Sequence, residues 1–270
     1  MPLLQIGIVL FENAPAELER LARSVAASEP TPGLEVTVRA LDNSPDARLE
    51  PVVRALLGPV AYGWAGSNPG YGATHNRAMR EAFGTGADAY LCLNPDAVLH
   101  PRCLEELWAT ASTPDTGLVD ARTFPEEHPK PYDPERGDTP WCTGTALLVR
   151  PGAFRATGGF DEGLFMYGED VDLSWRARAA GFRARTAPGA LVHHWVEHRP
   201  LTRERELRVL RSAAYLGRKW GDEAFARRYE RLLRARTGRA VEIESPPVVA
   251  VGARRIADFA HGVRFARSRW

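Results

Sequence analysis

Apolar runs of strand length alternate with segments of helical period along the N-terminal third, and this alternation restricts the fold more than any other feature of the chain. Leu4-Gln5-Ile6-Gly7-Ile8-Val9-Leu10-Phe11 reads as a buried strand. A helix is expected over 15–28, where Leu18, Leu21 and Val25 recur at helical spacing behind Pro15. Leu34-Glu35-Val36-Thr37-Val38-Arg39-Ala40-Leu41 is a second strand. A short helix over 52–57, a short strand over 60–64 and a helix over 74–83 follow. Ala87-Asp88-Ala89-Tyr90-Leu91-Cys92-Leu93 is a third major strand. Strands and helices in this rhythm predict an α/β fold with a mostly parallel sheet covered on both faces.

Past residue 98 the rhythm weakens. The stretch 119–140 is rich in Pro, Glu and Asp, so a long surface segment is expected there. Further strands are predicted at Thr145-Ala146-Leu147-Leu148-Val149 and Ala190-Leu191-Val192-His193. Residues 203–236 read as basic, partly amphipathic helices, 244–249 as an extended linker, and the end as a short basic helix reaching Trp270.

At 270 residues the chain can bury a full core, and a charged fraction of 26% is that of an ordinary globular protein. Its net charge of +1 conceals a division. Residues 1–200 carry 18 Lys and Arg against 26 Asp and Glu, whereas 201–270 carry 17 against 8. A basic extension therefore follows an acidic body. Packing of the two against each other is the plainest reading; contact with a membrane surface or an anionic acceptor is the functional one. No nucleic-acid module accompanies the charge, so nucleic acid is not an expected partner. Cys92, Cys103 and Cys142 form neither a disulfide framework nor a metal-ligand spacing. With no basic leader and no membrane-length apolar run, a cytoplasmic protein is expected, with peripheral contact at the inner membrane face and oligomerisation left open.

Chemistry concentrates in Gly159-Phe160-Asp161-Glu162-Gly163-Leu164-Phe165-Met166-Tyr167-Gly168-Glu169-Asp170-Val171-Asp172. Five carboxylates lie here, three of them where a helix should begin. One acid suffices as a cap, and a cluster repels itself unless a metal, a base or a substrate hydroxyl joins it. Asp42-Asn43-Ser44, Asn68 with its glycine-rich sequel, and Asn94-Pro95-Asp96 sit at or after strand C-terminal ends, where parallel sheets bind ligands. Singly each is an ordinary turn. Together they suggest nucleoside contacts at Asp42 and a divalent cation at Asp96, since Mg²⁺ and Mn²⁺ favour oxygen ligands. The glycine-rich piece is neither a Walker A loop nor a dinucleotide fingerprint. His193 and His194 close a strand and should face opposite ways, so one of them enters the crevice. Trp141, Trp175 and Trp195 are candidates for stacking on a sugar.

In this order the pieces resemble glycosyltransferase family 2, most nearly its bacterial rhamnosyltransferase-like branch, over about residues 3–221. The resemblance implies a GT-A fold: a mostly parallel nucleotide-binding sheet flanked by helices, here with a basic helical C-terminal extension. It implies a catalytic domain over 1–200, with a nucleotide-sugar half (1–98) and an acceptor and catalytic half (99–200), followed by the extension at 201–270. Asp42, Asn43, Asn68, Gly70, Asn76, Asn94 and Asp96 match donor-binding positions. Asp96 and His193 match the metal or phosphate positions, with Asn94 standing where the metal motif usually has its first acid. Asp170 matches the general base with Glu169 beside it, and Asp161, Glu162, Trp141 and Gly144 line the acceptor side. Tyr215-Leu216-Gly217-Arg218-Lys219-Trp220-Gly221 resembles a segment that follows the core in such enzymes. The implied reaction is inverting transfer from dTDP-rhamnose or a UDP-hexose to a hydroxyl of a glycan, lipid-linked or small-molecule acceptor, with Mg²⁺ or Mn²⁺. Two rivals remain. A non-catalytic nucleotide-sugar or glycan-binding module would not need the acid cluster. A sugar-phosphate nucleotidyltransferase would need a basic group near Phe11, and none is there.

Overall fold

The computed structural model describes residues 1–58, 60–128, 130–194 and 202–259. Eight strands form one sheet in the order β3-β2-β1-β4-β7-β6-β8-β5. They are β1 (Leu3–Leu10), β2 (Glu35–Asp42), β3 (Ala61–Trp64), β4 (Ala89–Leu93), β5 (Ala97–Leu99), β6 (Thr116–Phe124), β7 (Ala146–Val149) and β8 (Arg183–His194). β1 pairs in parallel with β2 and β4, β2 with β3, and β6 with β8, while β7 and β5 run against their neighbours. The C-terminal ends of β1, β2, β3, β4, β6 and β8 therefore share one edge of the sheet. The start of β7 joins them there, because Leu93 pairs with Ala146.

Helices cover both faces. α1 (Pro15–Ala26), α2 (Glu50–Leu57) and α4 (Cys103–Ala111) pack over Leu4, Ile6, Ile8, Leu91 and Leu93. α3 (Tyr71–Gly84), α5 (Pro151–Thr157) and α6 (Glu169–Ala179) cover Tyr90, Cys92, Leu147 and Val149. Alternate residues of each strand feed the two layers, as the pleat requires. Gly7 shows why a glycine sits in a central strand: a Cβ there would overlap the Tyr90 hydroxyl.

α7 (Arg203–Trp220) and α8 (Glu223–Thr237) complete the chain with a 3-10 turn over Val251–Ile256. Thr202 caps α7 by accepting from Arg205 N at 3.2 Å, and Asp222 caps α8 by accepting from Phe225 N at 2.9 Å. These helices share a third apolar cluster with α6, in which Leu210, Tyr215, Leu216 and Trp220 meet Trp141, Leu164, Val171 and Trp175. The predicted final helix beyond 259, with Trp270, lies outside the described residues, as does Trp195.

The stretch 119–140 departs from expectation. Its beginning is β6, buried between β7 and β8, and Glu127 and Lys130 are buried further on. Asp120 and Arg122 disguise the strand. Lys130 Nζ and Thr186 Oγ1 satisfy the Asp120 carboxylate, and Glu127 satisfies Arg122. Polar side chains with such partners can lie inside a sheet.

Candidate active site

One short segment, Thr143-Gly144-Thr145 just before β7, touches Asp170, Asn94 and His194. Gly144 N donates to Asp170 Oδ2 at 2.8 Å, and Thr145 O accepts from Asn94 N at 2.9 Å. Thr145 Oγ1 lies 3.4 Å from His194 Nδ1. Behind it, Thr143 N donates to Asp120 Oδ2 at 2.7 Å, which ties the segment to the buried Lys130–Asp120 pair. Asp170, Asn94 and His194 thus meet on one piece of backbone.

Asp170 sits in the first turn of α6, reached through Tyr167 and Gly168, whose φ values are 75° and 85°. A left-handed tyrosine is a strained conformation, of the kind kept at functional sites. Gly168 is required twice over, because a Cβ would also stand 2.7 Å from Leu216 Cδ1. Besides Gly144 N, Asp170 accepts from Val171 N at 2.8 Å. Burial raises the Asp170 carboxyl above the ordinary carboxylate range, and these N–H groups hold it partly down. Glu169 is 7% exposed and its Oε2 has no partner among the described residues. Burial first, then the neighbouring Asp170 charge, pushes its pKa up to about 8. Glu169 therefore keeps its proton at neutral pH, and the two neighbouring carboxyls titrate as a unit.

The other acids of the cluster have partners of their own. Asp161 accepts from Lys219 Nζ, from Tyr215 OH at 3.1 Å and from Gly163 N at 3.0 Å. Burial raises its carboxyl, but Lys219, Gly163 N and Tyr215 OH together hold it below the usual carboxylate range. Asp172, without exposed surface, accepts from Arg176 Nε at 2.7 Å, Lys219 Nζ at 2.9 Å and Trp220 Nε1 at 2.9 Å. Glu162 accepts from Asn76 Nδ2 at 3.0 Å. Five clustered acids resolve into two that face the site and three that brace it.

On the donor side, Asp42 ends β2 with both oxygens engaged, by Ser44 N at 2.8 Å and Tyr62 OH at 2.6 Å. It has no exposed surface, so a base reaches it only if Tyr62 moves. Asn43 bonds Thr74 Oγ1 at 2.8 Å and Asn68 Oδ1 at 3.4 Å. Trp64 and Phe11, about half exposed at the ends of β3 and β1, flank this corner.

Several expected placements differ. His194, not His193, faces Asp96: its Nε2 lies 3.3 Å from Asp96 Oδ2. Pairing of Ala97 with His194 sets this, and the neighbouring His193 turns to the edge of Phe124, 5.6 Å between ring centres. Asn76 is buried, with Oδ1 accepting from Phe160 N at 2.7 Å and Nδ2 donating to Phe160 O at 2.9 Å, so it clamps the loop instead of facing a donor. At Gly70 a Cβ would stand 2.7 Å from Phe165 O; the protein's own backbone, not a ligand, approaches it. Trp141 is 3% exposed beneath Lys130 and His128 and offers no face to a sugar. Trp175 is likewise buried, against Trp220. Among the described residues no three His, Cys, Asp or Glu side chains gather for a metal. Asp96 and His194 are a two-ligand set of the kind that suits a cation completed by substrate phosphates and water.

Tyr71 contacts the same backbone segment as Asp170, a role the sequence did not give it. Its hydroxyl donates to Gly144 O at 2.7 Å, and its ring packs edge-on against His75 and Phe160. Only its place between two glycines, at the start of a helix, hints at a special position.

The sequence model described as "Glycosyl transferase family 2" matches residues 7–165. The chain belongs to glycosyl transferase family 2. This glycosyltransferase is similar to N-acetylglucosaminyl-diphospho-decaprenol L-rhamnosyltransferase of Mycobacterium tuberculosis, at 27% identity over 72% of this chain and 76% of that protein. It is also similar to O-antigen biosynthesis protein RfbC of Myxococcus xanthus, at 29% identity over 69% of this chain but 17% of that protein. In fold it matches the mannosyltransferase PcManGT of Pyrobaculum calidifontis, solved with GDP-Man and Mn²⁺, with a TM-score of 0.61 at 16% identity over 90% of this chain and 67% of that one. The glycosyltransferase has the GT-A fold, and the relatives support a rhamnosyltransferase-like member of the family. No helix among the described residues is long and apolar enough to cross a membrane.

Proposed function

We propose that this glycosyltransferase inverts the anomeric centre of a nucleotide-bound sugar, with dTDP-rhamnose as first donor and a UDP-hexose as second, and that its acceptor is a sugar carried on a lipid diphosphate. The rhamnosyl relative whose name contains such an acceptor supports the choice. Asp170 is the base. It takes the proton of an acceptor hydroxyl as that oxygen attacks the anomeric carbon from the face opposite the nucleotide. The bond to the diphosphate breaks, and the diphosphate leaves with the electron pair. Gly144 N keeps the carboxylate aimed, and neutral Glu169 offers its unpartnered end to a sugar oxygen. Asp96 and His194 would hold a divalent cation, Mg²⁺ or Mn²⁺, whose charge stabilises the departing diphosphate. Asp42, Asn43, Asn68 and Asn94 form the nucleoside side.

The observation that carries this reading is the division of the acids. Lys219 and Arg176 neutralise Asp161 and Asp172, Asn76 bonds Glu162, and Asp170 is left on the backbone segment that also bonds Asn94, with Glu169 beside it. A positioned base contributes ~10²–10⁴ in rate. Asp170→Asn is therefore expected to lose turnover by about that factor. Its thermal shift with dTDP or UDP and Mn²⁺ should stay as in the native protein. Undiminished transfer by the folded variant would reject Asp170 as base.

A further inference from the structure

The loop that leads into the acid pair meets α7 along one line of side chains. Arg205, Arg208 and Ser212 recur at i, i+3 and i+7, on one face of the helix. Arg205 Cζ lies 5.7 Å from the centre of the Tyr167 ring, and Arg208 Cζ lies 4.9 Å from that of Phe165. Ser212 Oγ donates to Met166 O at 2.9 Å between them. Stacking on an aromatic ring fixes the plane of a guanidinium while leaving its N–H edge free to donate.

Several arginines of the extension are occupied elsewhere: Arg203 donates to Arg236 O, Arg236 pairs with Glu206, and Arg218 pairs with Glu230. Arg205 lies on the Tyr167 ring and, among the described residues, has no carboxylate partner. Arg208 meets Glu204, whose side chain is 74% exposed, in a pair that water and salt weaken. Two guanidinium forks thus stand one helical turn apart on the loop whose next residues are Glu169 and Asp170. Phe165 stays 37% exposed beneath one of them, and Tyr167 keeps its left-handed backbone beneath the other.

We propose that Arg205 and Arg208 bind the diphosphate of the acceptor and thereby select a diphosphate-bearing sugar over a neutral one. The inference rests on the acceptor class and the base proposed above. Planar forks match phosphate oxygens in pairs, and fork-to-phosphate bonds are among the stronger charge-assisted contacts. The donor's own diphosphate belongs at the strand ends beside Asp96 and His194, so a separate pair of forks on the base-bearing loop suits the second substrate. The acceptor hydroxyl then lies at Asp170 while its charged end is held on α7.

The test compares two acceptors with the full-length protein: N-acetylglucosaminyl diphosphate on a short polyprenyl chain, and an alkyl N-acetylglucosaminide without phosphate. The native enzyme should favour the first. With Arg205→Gln and Arg208→Gln together, KM for the diphosphate acceptor should rise by about a hundredfold, roughly tenfold for each guanidinium removed from the phosphates. KM for the neutral acceptor and for the donor should stay put. Arg→Lys at both positions, which keeps charge but loses the fork, should recover part of the affinity. Equal impairment with both acceptors would make the arginines braces of the loop and overturn the proposal. Unchanged kinetics with loss of binding to phosphatidylglycerol vesicles would overturn it in favour of a membrane-facing patch. Native enzyme that binds dTDP or UDP yet transfers to neither compound would sink the acceptor class itself, a failure visible before any arginine is changed.

Discussion

The Tyr71 hydroxyl holds the carbonyl of Gly144, and the N–H of that glycine holds Asp170. Tyr71→Phe keeps the ring against His75 and Phe160 but leaves a carbonyl short of a partner, at ~1–3 kcal/mol if it stays dry. The expected result is a kcat reduced about tenfold with donor KM unchanged, since the error falls on aim and not on binding. Steady-state kinetics checks this, and an altered pH–rate profile separates loss of aim from general loosening. Glu169 gives a second prediction. Its folded pKa of about 8 stands above the ordinary value of 4.5, so the native state binds the extra proton between those values. Its contribution to stability is therefore present at low pH and lost as pH rises from 4.5 through 8. Glu169→Gln should flatten that fall, with Tm differing little from native at about pH 5 and exceeding it above about pH 8. At this scale the sequence is partly legible. Clustered acids announce a site, but their division depends on Lys219, 47 residues beyond Asp172. Alternation along a strand sends the two histidines opposite ways, yet only the pairing of β8 with β5 decides which meets Asp96.

Among elements, α6 and α7 form the decisive pair. Lys219 is 4% exposed and bridges Asp161, ahead of α6, to Asp172 within it. A buried pair contributes little net stability when made but much when broken, because a charge is left without compensation. Lys219→Met should cost about 3–5 kcal/mol at neutral pH. The cost should shrink as the pH falls into the carboxylate range and the orphaned groups take up protons; urea midpoints across pH test both statements. β1 and β4 are legible from their largely apolar runs and β2 from its β-branched alternation, each ending in a polar turn. β6 is not, since Asp120 and Arg122 interrupt it and their partners Lys130 and Glu127 lie in an irregular stretch. Short α5 gives no periodic signal worth reading in seven residues.

Across the whole molecule, the basic extension and the acidic body are joined mainly by apolar packing. Trp175 and Trp220 meet edge to face at 5.3 Å, and Leu210, Tyr215 and Leu216 fill the space beside them. A chain ending at residue 200 would expose that face of α6 and leave Asp172 with Arg176 alone. It should show helical and strand signal in far-UV circular dichroism with weakened near-UV signal, bind a hydrophobic dye and transfer no sugar. A sharp, native-like thermal transition in that fragment would show that the extension is dispensable for folding. The segregation of charge and the partly amphipathic period of both helices are plain in the sequence; that their apolar stripe packs on Trp141 and Trp175 is not.

The route of Lys219 to Asp172 also orders events in time. A ribosome has already delivered β1 to β8 and the acid pair when the lysine that sorts the acids is still to come. Domains fold broadly from the first-made end. In this chain the sheet can assemble early, while the charges at the start of α6 stay mutually repelling until α7 docks. The whole family-matched segment, residues 7–165, thus leaves the ribosome before Lys219 can pair with Asp161 and Asp172.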